Sequence, residues 1–506
     1  MTRSSNRILV SAGLGTLLFV SGCSSTQVGN PQGPSGPEAP DVPDGPFELP
    51  TCPELANAAR DCSDRAPTVF EVDDAATLEK SAAMACPGDE IRVAAGTYGA
   101  RLRVAPGVRV TGEGAASTRI IGPDGDPACA ASESTIQGLT LEGSGTVLLL
   151  DGVTNVSISA TDLAARAGIG LWTRDSAGLV LEDIHITGGL DASAAQSLRA
   201  PLDMERVPFA GLLSQRGAAS LRAVEITGFA AYGAAFAASN VTWAGGGIAQ
   251  ILVAGVLSEG SSTALSGVTI SRGLSATDAT LALMQSGLAV IGGSTATLSD
   301  VTVAEVPGVG VLSDASMLGA SGLTVSRSGR AGLWFQRGVA GVEGAPALGL
   351  ESVTVEEPTG IAVRCLECLD LSMTDATISA IQPVVGVGDD LQREVTSDGL
   401  QLVDFGGFVS LTRVTVGSAE RVSLLLDRAN AAGTGSASFT EVRLEPAANG
   451  LGLVSQSVSV DATGLQRTAE VTARDDAFAE SGAVLQVDRS VFSLPTPPDV
   501  DAEGSP

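Results

Sequence analysis

A short glycine-led phrase returns throughout residues 165–365. It reads Gly170-Leu171-Trp172-Thr173, Gly211-Leu212-Leu213-Ser214, Gly233-Ala234-Ala235-Phe236 and Gly255-Val256-Leu257-Ser258. It continues as Gly287-Leu288-Ala289-Val290, Gly310-Val311-Leu312-Ser313, Gly332-Leu333-Trp334-Phe335 and Gly360-Ile361-Ala362-Val363. Successive glycines are 41, 22, 22, 32, 23, 22 and 28 residues apart, a floor of 22 with longer steps where a loop is inserted. A period of this size, with one strand pair per repeat and insertions in some repeats, is the mark of a solenoid.

A second phrase, Leu-x-x-Val-Thr-Val, interleaves with the first: Leu181…Ile184-His185-Ile186, Leu221…Val224-Glu225-Ile226, Leu265…Val268-Thr269-Ile270 and Leu298…Val301-Thr302-Val303. Further copies start at Leu350, Leu411 and Phe439. β-Branched residues two apart around a polar one describe a half-buried strand. Two short strands in 22 residues leave no room for a helix between them, so βαβ units are excluded and parallel strands stacked coil on coil remain. The chain resembles the right-handed parallel β-helix (pectin-lyase-like) superfamily over roughly residues 66–493, which implies an all-β solenoid.

The first strands are preceded by a candidate cap. Asp74 can N-cap a short helix whose Ala75, Leu78, Ala82 and Ala85 share one face. The run Cys86-Pro87-Gly88-Asp89-Glu90-Ile91-Arg92-Val93 through Gly96-Thr97-Tyr98, then Val108-Arg109-Val110, resembles the way many bacterial β-helix domains begin. A helix there plugs the open end, whose unpaired strand edge otherwise invites aggregation.

Residues 1–22 read as a signal peptide: Arg3 and Arg7, the apolar run Ile8–Val20, then Val20-Ser21-Gly22-Cys23. The apolar run is too short for a stable span, which needs about 20 residues. The last four residues resemble the bacterial lipobox, which implies acylation of Cys23. Ser24 in place of aspartate implies an outer-membrane location, on the periplasmic face or the cell surface. Residues 23–50 then form an acylated cysteine and a tether, with seven prolines between Pro31 and Pro50 and little to bury. The β-helix domain is expected over 51–493, and residues 494–506 form a Pro-rich acidic tail.

Net charge is −28 and Lys80 is the one lysine. Such a surface repels nucleic acid, so none is assigned as a partner; it gives solubility and is compatible with calcium, and no other cofactor is implied. Apart from Cys23 there are six cysteines, Cys52, Cys62, Cys86, Cys129, Cys365 and Cys368. An even number behind an export signal suggests disulfides. Proximity in sequence suggests Cys52–Cys62, Cys86–Cys129 and Cys365–Cys368. A zinc site wants four ligands, and no second cysteine pair or histidine cluster accompanies the last two.

The enzymes of the resembled superfamily carry signatures that are missing here. Hydrolases of the polygalacturonase kind combine several aspartates with Gly-His-Gly and Arg-x-Lys. This chain has Gly388-Asp389-Asp390, but its one histidine, His185, lies far upstream and no lysine follows Lys80. His185 takes the place of Thr269, Thr302, Thr354 and Thr415 in other repeats and so points outward. Two insertions, Gly188–Pro208 and Gly386–Gly406, carry Arg199, Asp203, Glu205 and Arg206, and Asp389, Asp390, Arg393, Glu394 and Asp398.

Side chains alternate along a strand. With Leu171, Leu212, Val256, Leu333 and Ile361 inward, Trp172, Leu213, Leu257, Leu312 and Trp334 form an exterior apolar stripe flanked by Arg174, Arg216, Arg337 and Arg364. Trp172 and Trp334 then stand six coils apart, roughly 29 Å. Trp172, Arg174, Arg216, Trp334, Arg337 and Arg364 are therefore the candidate ligand-binding residues. The leading functional expectation is a non-catalytic, lipid-anchored envelope protein that binds a glycan or a surface protein. The alternative is a divergent polysaccharide lyase or glycoside hydrolase, with Asp389, Asp390 and Arg364 as catalytic candidates.

Overall fold

The computed structural model describes residues 52, 62, 65–189, 209–276, 285–338, 347–387, 393–405, 407–417, 419–427, 436–445, 451–456, 459–463, 466–467, 475–480 and 484–487. Side chains are described to residue 445, leaving out 384–396 and 427. The signal, tether and tail expected from the sequence lie outside these residues, as do Arg199, Asp203, Glu205, Arg206, Asp389 and Asp390.

Each coil carries three strands, one more than the repeat suggests. The coil from residue 254 is typical: Ala254–Glu259, Ser262–Ser266 and Thr269–Ser271. Each of these strands pairs in parallel with its counterpart 32 or 33 residues on, and the same parallel pairing repeated coil by coil makes three parallel sheets of a β-helix. The Leu-x-x-Val-Thr-Val phrase looks like one strand but bends in its middle. The bend falls at Asp183, Ala223, Gly267, Asp300, Ser352, Arg413 and Glu441, all left-handed with φ between 50° and 62°. Six of these seven are not glycine, so the corner left no trace that residue type could reveal.

The corner from the third sheet back to the first explains the recurring glycine. A Cβ at Gly211, Gly233, Gly255, Gly287, Gly310 or Gly332 would overlap a side-chain methyl of Ile226, Ile248, Ile270, Val303, Val325 or Val355. It would also sit 2.6–2.7 Å from a carbonyl oxygen of the next coil. None of these glycines has a positive φ; close approach, not backbone freedom, requires them. The sequence phrase at Gly360 is out of phase by two. Ala362 holds the column position, and Gly360 is a left-handed turn residue at φ 86°. Ile361 consequently pairs with Ala331 at the corner and is half-buried, while Val363, paired with Leu333, takes the inward place expected of it.

The remaining corner holds a serine ladder. The Ser239, Ser261 and Ser294 amides donate to the Oγ of Ser261, Ser294 and Ser316 in the next coil, at 3.0, 3.1 and 3.1 Å. The Oγ of Ser239, Ser261 and Ser294 donates back to Ser214, Phe236 and Ser258 carbonyls at 3.0–3.1 Å. These buried serines satisfy backbone groups that a tight turn cannot pair with backbone. Inside, Leu212, Val256, Leu288, Val311, Leu333, Val363 and Leu400 join the valines and isoleucines of the other sheets in one continuous core.

The cap forms as expected. A helix spans Ala75–Met84, and Asp74 accepts the Thr77 amide at 2.9 Å. Leu78 and Ala82 are buried in the core and Ala75 packs against it. Disulfides join Cys52 to Cys129, Cys62 to Cys86 and Cys365 to Cys368. The first two replace the pairings suggested by proximity, because folding brings Cys52 to the outer face where Cys129 lies and leaves Cys86 at the end of the cap helix. The second insertion is smaller than its sequence implied. Val384–Val387 and Arg393–Thr396 make an antiparallel hairpin, and Asp398 belongs to the solenoid strand Asp398–Val403.

Gly255→Ala is expected to lower stability by about 1–3 kcal/mol through overpacking. Ser261→Ala is expected to cost about 1–3 kcal/mol by stranding the Ser239 amide. Denaturant titration of each variant checks both.

Candidate functional site

The outer face of the first sheet carries the column expected from the sequence: Trp172, Leu213, Ala235, Leu257, Ala289, Leu312 and Trp334, six coil steps in register. Its exposure is not as expected. Trp172 is 2%, Leu213 1%, Leu257 3% and Trp334 8% exposed. Trp172, Leu213 and Leu257 belong to a second apolar cluster outside the coil, with Tyr232, Ala254 and Cys129. Cys52 from the N-terminal segment, Phe209 from the end of the Gly188–Pro208 insertion, and Ala276 pack onto it. The Trp172 indole N–H donates to Gln215 Oε1 at 3.1 Å, so even its polar edge is satisfied. This stretch is buried packing, not an open sugar-stacking surface.

Three of the four candidate arginines join coils to one another. The Arg174 Nε donates to Asp151 at 2.8 Å, and Arg216 grips Asp175 with two bonds of 2.7 and 2.9 Å. The Arg337 Nε donates to Asp314 at 2.6 Å. Arg413 holds Asp375 in the same way. Hydrogen bonds from Arg216 and Arg413 hold the Asp175 and Asp375 carboxyls below the usual aspartate range. These pairs cross from one coil to the one before it.

Arg364 differs from them. It lies inside its strand, next in the column after Trp334 and before Gln401. Its guanidinium sits over the Trp334 ring at 4.5 Å, and Arg330 lies over the same ring at 4.9 Å. Such contacts contribute about 0.5–2 kcal/mol each. The Trp334 indole N–H donates to Gln336 at 3.1 Å. Trp334 therefore serves as a seat for guanidinium groups, and its 8% exposure leaves little ring for a sugar.

The position just before this strand reads Arg330, Gly360, Ser397 and Arg421 in successive coils. Arg330 and Arg421 thus stand three coil steps apart, roughly 14 Å, with two coils between them that carry no bulky side chain at this position, one of them the coil of Arg364. Buried Asp398 accepts from Arg421 Nε at 2.8 Å and also from Arg421 Nη2 and Gln401 Nε2, so both its oxygens are engaged. Burial first, then the nearby charges of Arg330 and Arg421, pulls the Arg364 guanidinium below its ordinary value against the opposing effect of Asp398. Burial does the same to Arg330.

Arg330, Asp398, Gln401 and Arg421 were not singled out together by sequence, since only the coil register brings them beside Trp334 and Arg364. Asp389 and Asp390 lie outside the described residues. His185 is 56% exposed in the threonine column, and its Nδ1 lies 3.1 Å from Asp162 of the preceding coil. Cys365 and Cys368 are buried in the core as a disulfide. Among the described residues no cluster of three or more His, Cys, Asp or Glu could hold a metal.

A depressed aspartate contributes stability above the usual aspartate range and loses it as pH falls through the lowered value. The melting temperature of Arg413→Gln is therefore expected to lie below that of the wild type at neutral pH. The gap should close as pH falls to about 2, which thermal unfolding across pH measures.

No family model matches this chain, and neither does any curated protein. Among solved structures it is similar to the catalytic domain of a GH87 α-1,3-glucanase in complex with nigerose, at 11% identity and TM-score 0.32, covering 83% of this chain and 69% of that one. It is also similar to the Agl-KA catalytic domain, at 12% identity and TM-score 0.30, covering 81% and 64% of the two chains. The Dettilon tailspike protein gp208 follows at 9% identity and TM-score 0.26, covering 80% and 64%. At these values nothing of their activity transfers.

Proposed function

We propose that this chain is a lipid-anchored envelope protein whose β-helix displays a non-catalytic binding face for a glycan, centred on the arginine platform around Trp334. The observation that carries this reading is the pair of guanidinium groups, Arg330 and Arg364, over one indole on the outside of a rigid sheet. Guanidinium forks recognise the hydroxyl and anionic groups of a glycan, and the stacking holds them at low entropic cost. The lipobox at Cys23 and the proline tether support display away from a membrane, in the outer membrane by the sorting residue Ser24. A calcium ion held elsewhere on the acidic surface is compatible with this role.

The enzymatic alternative needs a proton donor and acceptor at the site. Asp398 is the carboxylate there among the described residues, and Arg421 and Gln401 already engage both its oxygens. That favours binding over bond cleavage.

The test is size-exclusion chromatography of the protein with acidic and neutral polysaccharides, with and without calcium. Co-elution of intact polymer, reduced about tenfold or more in affinity by Arg364→Ala, is expected; shortened polymer would establish the lyase or hydrolase alternative. Cys23→Ser is expected to move the protein from the membrane fraction to the soluble fraction of the cells that make it.

A further inference from the structure

Acidic residues outnumber basic ones two to one in this chain, 57 Asp and Glu against 29 Lys and Arg. An arginine on this solenoid should therefore find a carboxylate easily. Arg174, Arg216, Arg337, Arg413 and Arg421 each do. Arg364 does not: no carboxylate is hydrogen-bonded to it among the described residues, and its Nε is buried without an acceptor. Asp398, the acidic group that acts on it, is engaged by Arg421. The charges of two further arginines, Arg330 and Arg421, thus act on Arg364 against the one opposing carboxylate, Asp398, inside a strongly acidic molecule.

Holding like charges together in a partly desolvated place is unfavourable unless something negative joins them. Buried charge without a partner is the exception in folded proteins.

We propose that Arg364 is the centre of an oxyanion-binding site, flanked by Arg330 and Arg421, which takes a carboxylate or sulfate group. The inference rests on the glycan-binding reading above and specifies the group that reading recognises. Gly360 and Ser397, in the column that carries Arg330 and Arg421, add no bulky side chain beside Arg364. A guanidinium presents paired N–H donors spaced for two oxygens of one anion, which a lysine ammonium does not. Trp334 holds the Arg364 plane in place by stacking, so less freedom is lost when the anion binds.

The three tryptophans, Trp172, Trp243 and Trp334, make the site directly observable. Protein labelled with 5-fluorotryptophan gives one ¹⁹F resonance for each, and Trp334→Phe assigns the relevant one. Sodium glucuronate, sodium sulfate and glucose are titrated at fixed ionic strength. The expected result is a saturable shift of the Trp334 resonance with at least one anion and none with glucose. Glucuronate alone would assign a carboxylate, and sulfate alone a tetrahedral anion. Arg364→Gln should weaken the effect by about tenfold or more, while unmoved Trp172 and Trp243 resonances report an intact fold. No shift with either anion, or a shift that survives Arg364→Gln unchanged, would overturn the proposal. If polysaccharide binds through Arg364 while neither anion acts, the oxyanion assignment fails and the binding face stands. If the anions act and no polysaccharide binds, the glycan reading fails and the oxyanion site stands.

Discussion

From residue 211 to 332 each coil closes by bringing two backbones so near at one corner that no side chain fits between them. The glycines at 211, 233, 255, 287, 310 and 332 sit against β-branched residues of the third sheet and against the carbonyl of the next coil. The rest of the coil follows from that contact. It sets the direction in which the first strand leaves the corner, which turns Leu212, Val256 and Leu333 into the core and their neighbours outward. The serine ladder does complementary work at the next corner, where hydroxyls replace backbone partners that the turn removes. Strand pairing then propagates from coil to coil, each needing its neighbour to bury its edges.

Because every column repeats, a change of residue along one column changes the surface without disturbing the frame. The outer column of the first sheet is apolar from Leu149 to Leu312 and is buried by segments packed over much of it. From Trp334 it turns polar, with Arg364 and Gln401. Asp398 makes the same change in the neighbouring column, where Ala331 and Ile361 precede it. A rigid solenoid therefore places Arg364 at a defined point where this column turns from apolar to polar.

Most of the surrounding arginines are structural. Their pairing with aspartates of the preceding coil neutralises charge along a ladder that would otherwise repel itself, although exposed pairs of this kind each add little stability. Their importance for function is by contrast: they show what an arginine in this frame does when a carboxylate is within reach. Arg364 instead lies over an indole, beside two other arginines.

The sequence alone determined the solenoid, the cap helix and the outer column. Glycine spacing, strand alternation and an N-capping aspartate are local signals, legible wherever one residue type meets one physical need. Trp334 and Arg364 were likewise visible as candidates. Tertiary structure decided the rest. The third strand was hidden because left-handed corners are occupied by ordinary residues such as Asp300 and Arg413. The phase slip at Gly360, the partners of Cys52 and Cys86, and the burial of Trp172 depend on which segments meet across coils. So does the grouping of Arg330, Arg364, Asp398 and Arg421, residues up to 91 positions apart that the coil register alone places side by side. A one-dimensional period reveals that coils stack, but insertions of unequal length blur which residues end up opposite one another.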